Sequence, residues 1–186
     1  EESVSSPLRM VFSIGTGLVL ITGSFVGMVM ALQFVLGLQK FGGMEYTGRI
    51  ISLSFSRELA PSLTAVIVGS RIASGIAAEI GSMNVTEQID AIRALGADPV
   101  KKLVMPRLVA SIIAMPIMAV ASLILGLAGA VLVCSLQFGL SAGFFVSTAL
   151  DALQLQDFWS GYLKTPVFGA IIALVGCHCG LRTRGG

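Results

Sequence analysis

Four long apolar runs, separated by short polar segments, dominate the chain. They cover residues 10–38, 50–82, 103–137 and 158–180. Each is at least as long as the roughly 20 residues that an α-helix needs to cross a bilayer. Lipid offers no hydrogen-bond partners to the backbone, and a helix satisfies its own. The pattern therefore predicts an all-α, polytopic transmembrane protein with about four spans, forming a single domain over residues 1–186.

The most charged segment lies between the second and third runs, from Glu79 to Arg107. It holds four acidic and four basic residues, whereas the flanking runs are almost free of charge. An unpaired charge in hydrocarbon costs several kcal/mol, so this segment must lie at a membrane surface. Basic residues cluster here and near both ends of the chain, which places 1–9, 83–107 and 181–186 in the cytoplasm by the positive-inside rule. Lys40 and Arg49 in the first outer turn count against this orientation.

Residues 84–96 have the pattern of a short amphipathic helix. Asn84 is a good N-cap, and Glu87 three residues later can close a capping box. Gly96 is a natural stop, and Asp98-Pro99 then predicts the start of another helix. An apolar stripe and a separate polar side recur at helical spacing. The apolar stripe consists of Val85, Ile89, Ile92 and Leu95, and the polar side of Glu87, Asp90 and Arg93.

Two interpretations of this helix are open. It could simply connect two spans as a solvated amphipathic segment. Alternatively, it could be the surface through which a soluble partner moves the membrane domain. In that case, we expect the apolar stripe to seat on the partner and the polar side to form the rim of the contact.

Small residues recur every four positions on the first two spans, which lets another helix approach closely. The first span carries Gly23 and Gly27, followed by Ala31. The second span carries two adjacent rows, of which the first is Gly69, Ala73, Ala77 and Gly81 and the second is Ser70, Ser74, Ala78 and Ser82. Two rows side by side predict a broad, smooth face that meets another span.

Four ionisable residues lie in or near the second span, namely Arg57, Glu58, Arg71 and Glu79. Such residues are rare in membranes and often mark functional pathways. We hypothesise that they form one polar network near a central cavity. They could equally pair internally and hold the helices in register. Arg71 and Glu79 are about 12 Å apart along one helix and need partners on other spans.

Composition narrows the function. The chain is 55% hydrophobic and 12% charged, against about 25% charged in soluble domains. A net charge of +2 is too small to suggest nucleic acid as a partner. The chain has no phosphate-binding loop of the Walker type. Cys177, His178 and Cys179 are adjacent on a predicted helix and cannot converge on one ion. We therefore expect no catalytic residues, metal site or cofactor in this chain.

The run from Arg57 to Arg107 closely resembles the signature of the MlaE/YrbE family of ABC transporter permeases. The shared elements are Arg57-Glu58-Leu59 with Pro61, Gly69 and Arg71, Ala78-Glu79-Ile80-Gly81, Met83, Thr86-Glu87-Gln88 and Pro106-Arg107. The resemblance extends more loosely over the whole chain. Members of this family have five spans, so the chain resembles a permease without its last span.

The resemblance implies a permease subunit that moves phospholipids between the inner membrane and an MCE-domain lipid-binding protein. It implies a second copy of the permease, and a separate ABC ATPase subunit that uses the ATP and docks on a coupling helix, here 84–96. It favours the bacterial inner (cytoplasmic) membrane over the chloroplast inner envelope. The alternatives are a stand-alone secondary transporter or channel for a small solute, for which the halves show no convincing repeat, and a purely structural scaffold.

Overall fold

The structure is a computed structural model that describes the backbone of residues 2–183 and the side chains of residues 15–157 and 159–183. Arg9 and Arg184, which support the predicted orientation, lie outside the described side chains. The helices are α1 (Glu2–Gln39), α2 (Thr47–Ser54), α3 (Ala60–Val85), α4 (Gln88–Ala94), α5 (Met105–Phe138), α6 (Ala142–Ala152), α7 (Leu155–Tyr162) and α8 (Thr165–Leu181). A 3-10 turn at Met44–Tyr46 precedes α2, and π-helical turns at Phe55–Leu59 and Val100–Val104 precede α3 and α5.

Within the described residues, four helical segments are long and apolar enough to cross a membrane. They are Gly15–Gln39, Met44–Val85, Val100–Phe138 and Leu155–Leu181. The predicted all-α membrane fold with about four spans is therefore confirmed. The second segment begins earlier than the predicted 50–82, because α2, the first π-helical turn and α3 form one nearly continuous helical path.

Both π-helical turns end two residues before a proline. Pro61 lies in the first turn of α3, and Pro106 lies in the first turn of α5. Proline has no backbone N–H and its ring collides with the carbonyl four residues earlier, so the regular α-helical ladder cannot continue through it. A π-helical turn absorbs this interruption without ending the helical path. Pro61 therefore marks the start of the regular helix of α3, while α5 continues through Pro116.

Helices α1 and α5 run parallel and touch through glycines. A Cβ on Gly23 would lie 3.2 Å from the backbone oxygen of Ser122, and one on Gly27 would overlap the backbone of Gly126. A Cβ on Gly129 would lie 2.5 Å from the backbone oxygen of Ser24. These backbones approach so closely that no side chain fits between them, which maximises dispersion contacts where lipid gives no hydrophobic driving force.

Helix α8 fits between α3 and α5 in the same way. On α3, the row that begins with Gly69 and ends with Gly81 faces α8. A Cβ on Gly176 would lie 2.9 Å from the backbone oxygen of Ala73, and one on Gly180 would lie 3.0 Å from that of Ala77. The neighbouring row of Ser70, Ser74, Ala78 and Ser82 is exposed. The two rows therefore face different surroundings, one inside the bundle and one outside it.

Candidate coupling helix and charged pairs

The candidate coupling helix is shorter than predicted. Helix α3 continues through Asn84 to Val85, and α4 begins only at Gln88. The residue at the N-cap position is Glu87, which has φ 58° and makes no side-chain capping hydrogen bond. The capping box expected between Asn84 and Glu87 therefore does not form. The physical reason is that Asn84 is itself part of α3: the N–H of Glu87 donates to its backbone carbonyl at 3.2 Å. Its side-chain amide nitrogen donates instead to the carbonyl oxygens of Leu181 and Thr183, at 3.3 and 2.7 Å.

The end of α4 follows the sequence pattern. Gly96 adopts φ 76°, the left-handed conformation that glycine accepts without strain. Its N–H donates to the carbonyl of Arg93, and the N–H of Ala97 donates to that of Ile92. This pair of bonds is a Schellman motif. Asp98 then accepts a hydrogen bond from the N–H of Val100 at 2.9 Å, so a new helical segment starts at once.

The apolar stripe of this segment is divided between two surroundings. Ile89 is 1% exposed and belongs to the bundle core together with Ile80 and Leu103, and Ile92 packs against the same core. Val85 and Leu95 are instead 52% and 85% exposed. This differs from the expectation that all four residues seat on a partner: Ile89 and Ile92 attach α4 to its own membrane domain. Only Val85 and Leu95 present apolar surface outward.

The polar side of α4 faces outward as a whole. Glu87, Asp90 and Arg93 are all exposed, and Arg93 forms an ion pair with Asp90 at 3.1 Å. An exposed pair of this kind contributes little stability. These three polar residues and the exposed Leu95 and Val85 together are called the coupling surface below.

Glu79, near the C-terminal end of α3, pairs with Arg107 of α5. One terminal nitrogen of the Arg107 guanidinium lies 2.9 Å from the Glu79 carboxylate, and the other donates to the carbonyl oxygen of Leu103 at 2.9 Å. Arg107 is buried although it is charged, so the partner is needed to offset the loss of hydration. Arg107 was not among the predicted site residues. Its place immediately after Pro106, at the start of an apolar span, was the available signal.

Arg57 and Glu58 lie in the first π-helical turn and pair with the segment that leads into α8. The Arg57 Nε lies 2.7 Å from a carboxylate oxygen of Asp157, whose side chain is 5% exposed. Lys164 lies 3.3 Å from Glu58. Gly161 packs against the same turn, since a Cβ there would lie 2.5 Å from the backbone oxygen of Ser56. Sequence reasoning missed Asp157 and Lys164 as partners, because nothing local links residues 100 positions apart.

The four charges predicted as one network therefore occupy three separate places. Arg57 and Glu58 pair with α7 and the residue before α8, and Glu79 pairs with α5. Arg71 is exposed on the outside of α3, on the same side as Ser70 and Ser74. Among the described residues it has no carboxylate within 4 Å. Exposed residues of the other spans are mostly large and apolar, including Phe25, Val29, Ile117, Ile124, Val167 and Ile171.

Comparison with known proteins agrees with this architecture. Residues 8–186 match the family model described as Permease MlaE. The chain is 41% identical over 179 residues to a probable ABC transporter permease protein of Synechocystis, covering 96% of this chain and 68% of that protein. It is 39% identical over 170 residues to the protein TRIGALACTOSYLDIACYLGLYCEROL 1, chloroplastic, of Arabidopsis thaliana, covering 91% of this chain and 49% of that protein.

A third relative is a probable ABC transporter permease protein of Rickettsia typhi, 38% identical over 162 residues, which cover 87% of this chain and 62% of that protein. The chain thus spans about half to two thirds of the length of these relatives. The family match extends from residue 8 to residue 186 and includes all four membrane-spanning segments. The chain therefore belongs to the MlaE permease family and is a multi-pass membrane protein.

Proposed function

We propose that the chain is the membrane permease part of an ABC transporter that moves phospholipids between the membrane and an MCE-domain partner, driven by a separate ATPase. The observation that carries this proposal is the family match over residues 8–186, joined to an exposed amphipathic helix at the end of α3. The chain itself does no covalent chemistry in this scheme. It supplies the membrane path and the surface through which the ATPase acts.

Force would enter through the coupling surface. Leu95 and Val85 offer apolar contacts, and Glu87, Asp90 and Arg93 offer a polar rim. The motion would pass inward because Ile89 attaches α4 to the core that α3, α5 and α8 share. A rigid link of this kind is what a coupling element requires, since a loosely attached helix would move without moving the spans.

A second copy of the permease would cover the exposed face of α3. Ser70 and Ser74 satisfy their hydroxyls by donating to the carbonyls of Ile67 and Arg71, at 3.0 Å each. The face is thus smooth and mildly polar, as in close contacts between membrane helices. Arg71 on this face would find its partner or water between the two copies, because an exposed guanidinium facing acyl chains is costly.

A lipid substrate is supported by a relative. The name of the Arabidopsis protein, TRIGALACTOSYLDIACYLGLYCEROL 1, refers to a glycolipid. Apolar faces of the kind found on α1, α5 and α8 suit acyl chains, and a substrate with long tails needs no enclosed aqueous channel. Of the possible membranes, we propose the bacterial inner membrane. The chloroplast inner envelope is the alternative raised by the chloroplastic relative.

The test is a pull-down of the full-length permease in mild detergent, followed by mass spectrometry of proteins and lipids. We expect an ABC ATPase, an MCE-domain protein and phospholipid to co-purify. A Leu95→Glu variant should lose the ATPase, whereas Leu136→Glu, also exposed but at the opposite end of the bundle, should retain it. A permease that purifies alone, even when the ATPase is supplied, would overturn the proposal and favour a stand-alone transporter.

A further inference from the structure

A polar cavity opens at the end of the bundle opposite the coupling surface. It lies between the start of α2 and α6, with about 590 Å³ of space including the part open to solvent. Its lining combines one cation, two carboxylates and two aromatic rings. The lining residues are Glu45, Tyr46, Arg49, Phe144, Thr148, Asp151 and Ala152.

The backbone contact between α2 and α6 fixes this arrangement. A Cβ on Gly48 would lie 2.7 Å from the Thr148 hydroxyl and 2.9 Å from the backbone oxygen of Phe145. Because glycine lets the two helices touch here, the next residue, Arg49, is held beside α6. Thr148 and Asp151 are one turn apart and share a side of α6. The cation and the carboxylate therefore come from two helices whose separation is fixed.

The charges in this cavity are not engaged with each other. Glu45 and Arg49 have the spacing that favours an ion pair along a helix. Yet among the described residues neither Glu45, Arg49 nor Asp151 has an opposite charge within 4 Å. All three side chains are exposed to the cavity or to solvent. The cavity thus offers a cationic and an anionic binding position at once, which matches a ligand that carries both signs.

The depth of the cavity matches the level of lipid headgroups. Phe145 and Ala149 of α6 belong to one buried cluster with Ala130 and Cys134 of α5. Along α5, Ala130 lies about 35 Å from Arg107, at 1.5 Å per residue. The hydrocarbon core is about 30 Å thick, or 40–45 Å with the headgroups. A cavity this far from the cytoplasmic Glu79–Arg107 pair lies near the opposite membrane surface, where Tyr46 and Phe144 suit the interface.

We propose that this cavity binds the headgroup of a zwitterionic phospholipid, with the phosphate on Arg49 and the ammonium on Glu45 and Asp151. This inference rests on the proposed function, because it assigns the class of lipid that the permease takes up or releases. Arg49 is one of two basic residues that the positive-inside assignment leaves on the outer side, and phosphate binding gives it a role there. An aromatic face at Tyr46 adds attraction for the ammonium.

The net charge of the residues that line the cavity favours a zwitterionic ligand over an anionic one. Two carboxylates and one guanidinium give the cavity a net charge of −1. Phosphatidylglycerol brings a phosphate but no cation, so it would leave both carboxylates uncompensated. Inorganic phosphate has the same defect. A lipid with an ethanolamine headgroup gives the guanidinium a phosphate and gives the two carboxylates one ammonium to share, so the net charge stays at −1, whereas phosphatidylglycerol would bring it to −2. The acyl chains would extend along the apolar surface of the bundle.

The experiment measures lipid binding to the full-length permease in nanodiscs by native mass spectrometry, with phosphatidylethanolamine and phosphatidylglycerol in competition. We expect a preference for phosphatidylethanolamine. Glu45→Gln and Asp151→Asn should each weaken that preference by about three- to tenfold, as expected for one charge-assisted contact to the ammonium. Asp151→Lys should reverse it. Arg49→Gln should instead weaken the binding of both lipids, because both carry the phosphate that Arg49 contacts. Asp98→Asn is the matched control: it removes an exposed carboxylate charge at the other end of the protein, outside the coupling surface, and keeps an oxygen that can accept from the N–H of Val100, so it should leave the lipid preference unchanged.

Two results would overturn the inference. One is an unmodified protein that binds both lipids equally, and the other is Glu45→Gln and Asp151→Asn variants that keep the original preference. Soluble glycerophosphoethanolamine is tested as a further ligand. If it binds to a permease that binds neither lipid, the cavity is assigned to a free phosphoester instead. Co-purification of the ATPase is read in the same samples. If the ATPase is retained but the lipid preference is absent, this inference fails while the proposed function stands.

Discussion

Asn84 and Thr183 are hydrogen-bonded across 99 residues of sequence, with the Asn84 amide nitrogen 2.7 Å from the Thr183 carbonyl oxygen. The same amide also donates to the carbonyl of Leu181. Leu181 is the last residue of α8 and Thr183 lies two residues beyond it, where carbonyls have no N–H partner within the helix. One side chain at the end of α3 thus caps α8, immediately before the chain turns into α4. Asn84 therefore joins the segment that leads into α4 to the end of the fourth span.

This geometry predicts that Asn84→Asp destabilises the end of α8. A carboxylate cannot donate and would face two carbonyl oxygens, so we expect a loss of about 1–3 kcal/mol in the free energy of unfolding. Thermal unfolding in detergent measures the total effect. Hydrogen exchange measures its location, and amides of residues 178–183 should exchange faster. Gln88→Glu makes the same chemical change at an exposed position of α4 and should leave both readouts unaltered. Equal effects of the two variants would contradict the capping role.

Variants at Ile89 and Leu95 are predicted to distinguish the attachment of α4 to the bundle from the contact of α4 with the ATPase. Ile89→Ala removes a fully buried side chain and should lower stability by about 2–5 kcal/mol. Leu95→Ala removes a side chain that is 85% exposed, so it should leave stability within about 0.5 kcal/mol. If the coupling surface is correct, Leu95→Ala reduces stimulation of the ATPase by the permease. The measurements are unfolding and ATP hydrolysis in the reconstituted complex. If Leu95→Ala stimulates ATP hydrolysis normally, Leu95 is not part of the contact with the ATPase.

The helical architecture could be predicted because it depends on local rules. Apolar length determines the spans, and the Gly96 and Asp98 signals determine where α4 ends and the next segment starts. The start of α4 could not be predicted in this way. Asn84 satisfies every local criterion for an N-cap, but α3 continues through it, and its side chain contacts carbonyls at the end of the fourth span, which are distant in sequence.

In the candidate site too, features that depend on local sequence could be predicted, whereas features that depend on distant residues could not. Sequence reasoning identified Arg57, Glu58 and Glu79 as charges that need partners, but the partners Asp157, Lys164 and Arg107 come from other elements. Helical spacing assigns Ile89 and Leu95 to one apolar stripe, but in the structure Ile89 faces the bundle and Leu95 faces outward. Only the packing of α4 on the core decides this. Burial is a property of the assembled helices, so periodicity alone leaves the direction of the face open.

Gly27 is predicted to be the least tolerant position of the α1–α5 contact. A Cβ there would overlap the backbone of Gly126, and backbone atoms cannot give way as a flexible side chain can. Gly27→Ala should force α1 and α5 apart and destabilise the protein by about 1–3 kcal/mol or more. Gly17→Ala is the control, because a Cβ there meets nothing within 4 Å. It should be neutral, or stabilising by about 0.5–1 kcal/mol through helix propensity. The measurement that tests this prediction is thermal unfolding of both variants in the same detergent.

The Arg57–Asp157 pair should show strong coupling in a double-mutant cycle. Arg57→Met leaves a nearly buried carboxylate without its cation, and we expect a loss of about 2–3 kcal/mol, less than for a fully buried pair because Arg57 is half exposed. Asp157→Asn keeps the shape and removes the charge, so adding it to Arg57→Met should recover part of the loss. The comparison pair is Lys164 and Glu58, both exposed, for which coupling should stay below about 1 kcal/mol. Unfolding free energies of the single and double variants give both couplings. If the Arg57 and Asp157 effects simply add, the pair does not hold the first π-helical turn against α7, and the contact of Gly161 with the Ser56 backbone is what joins them.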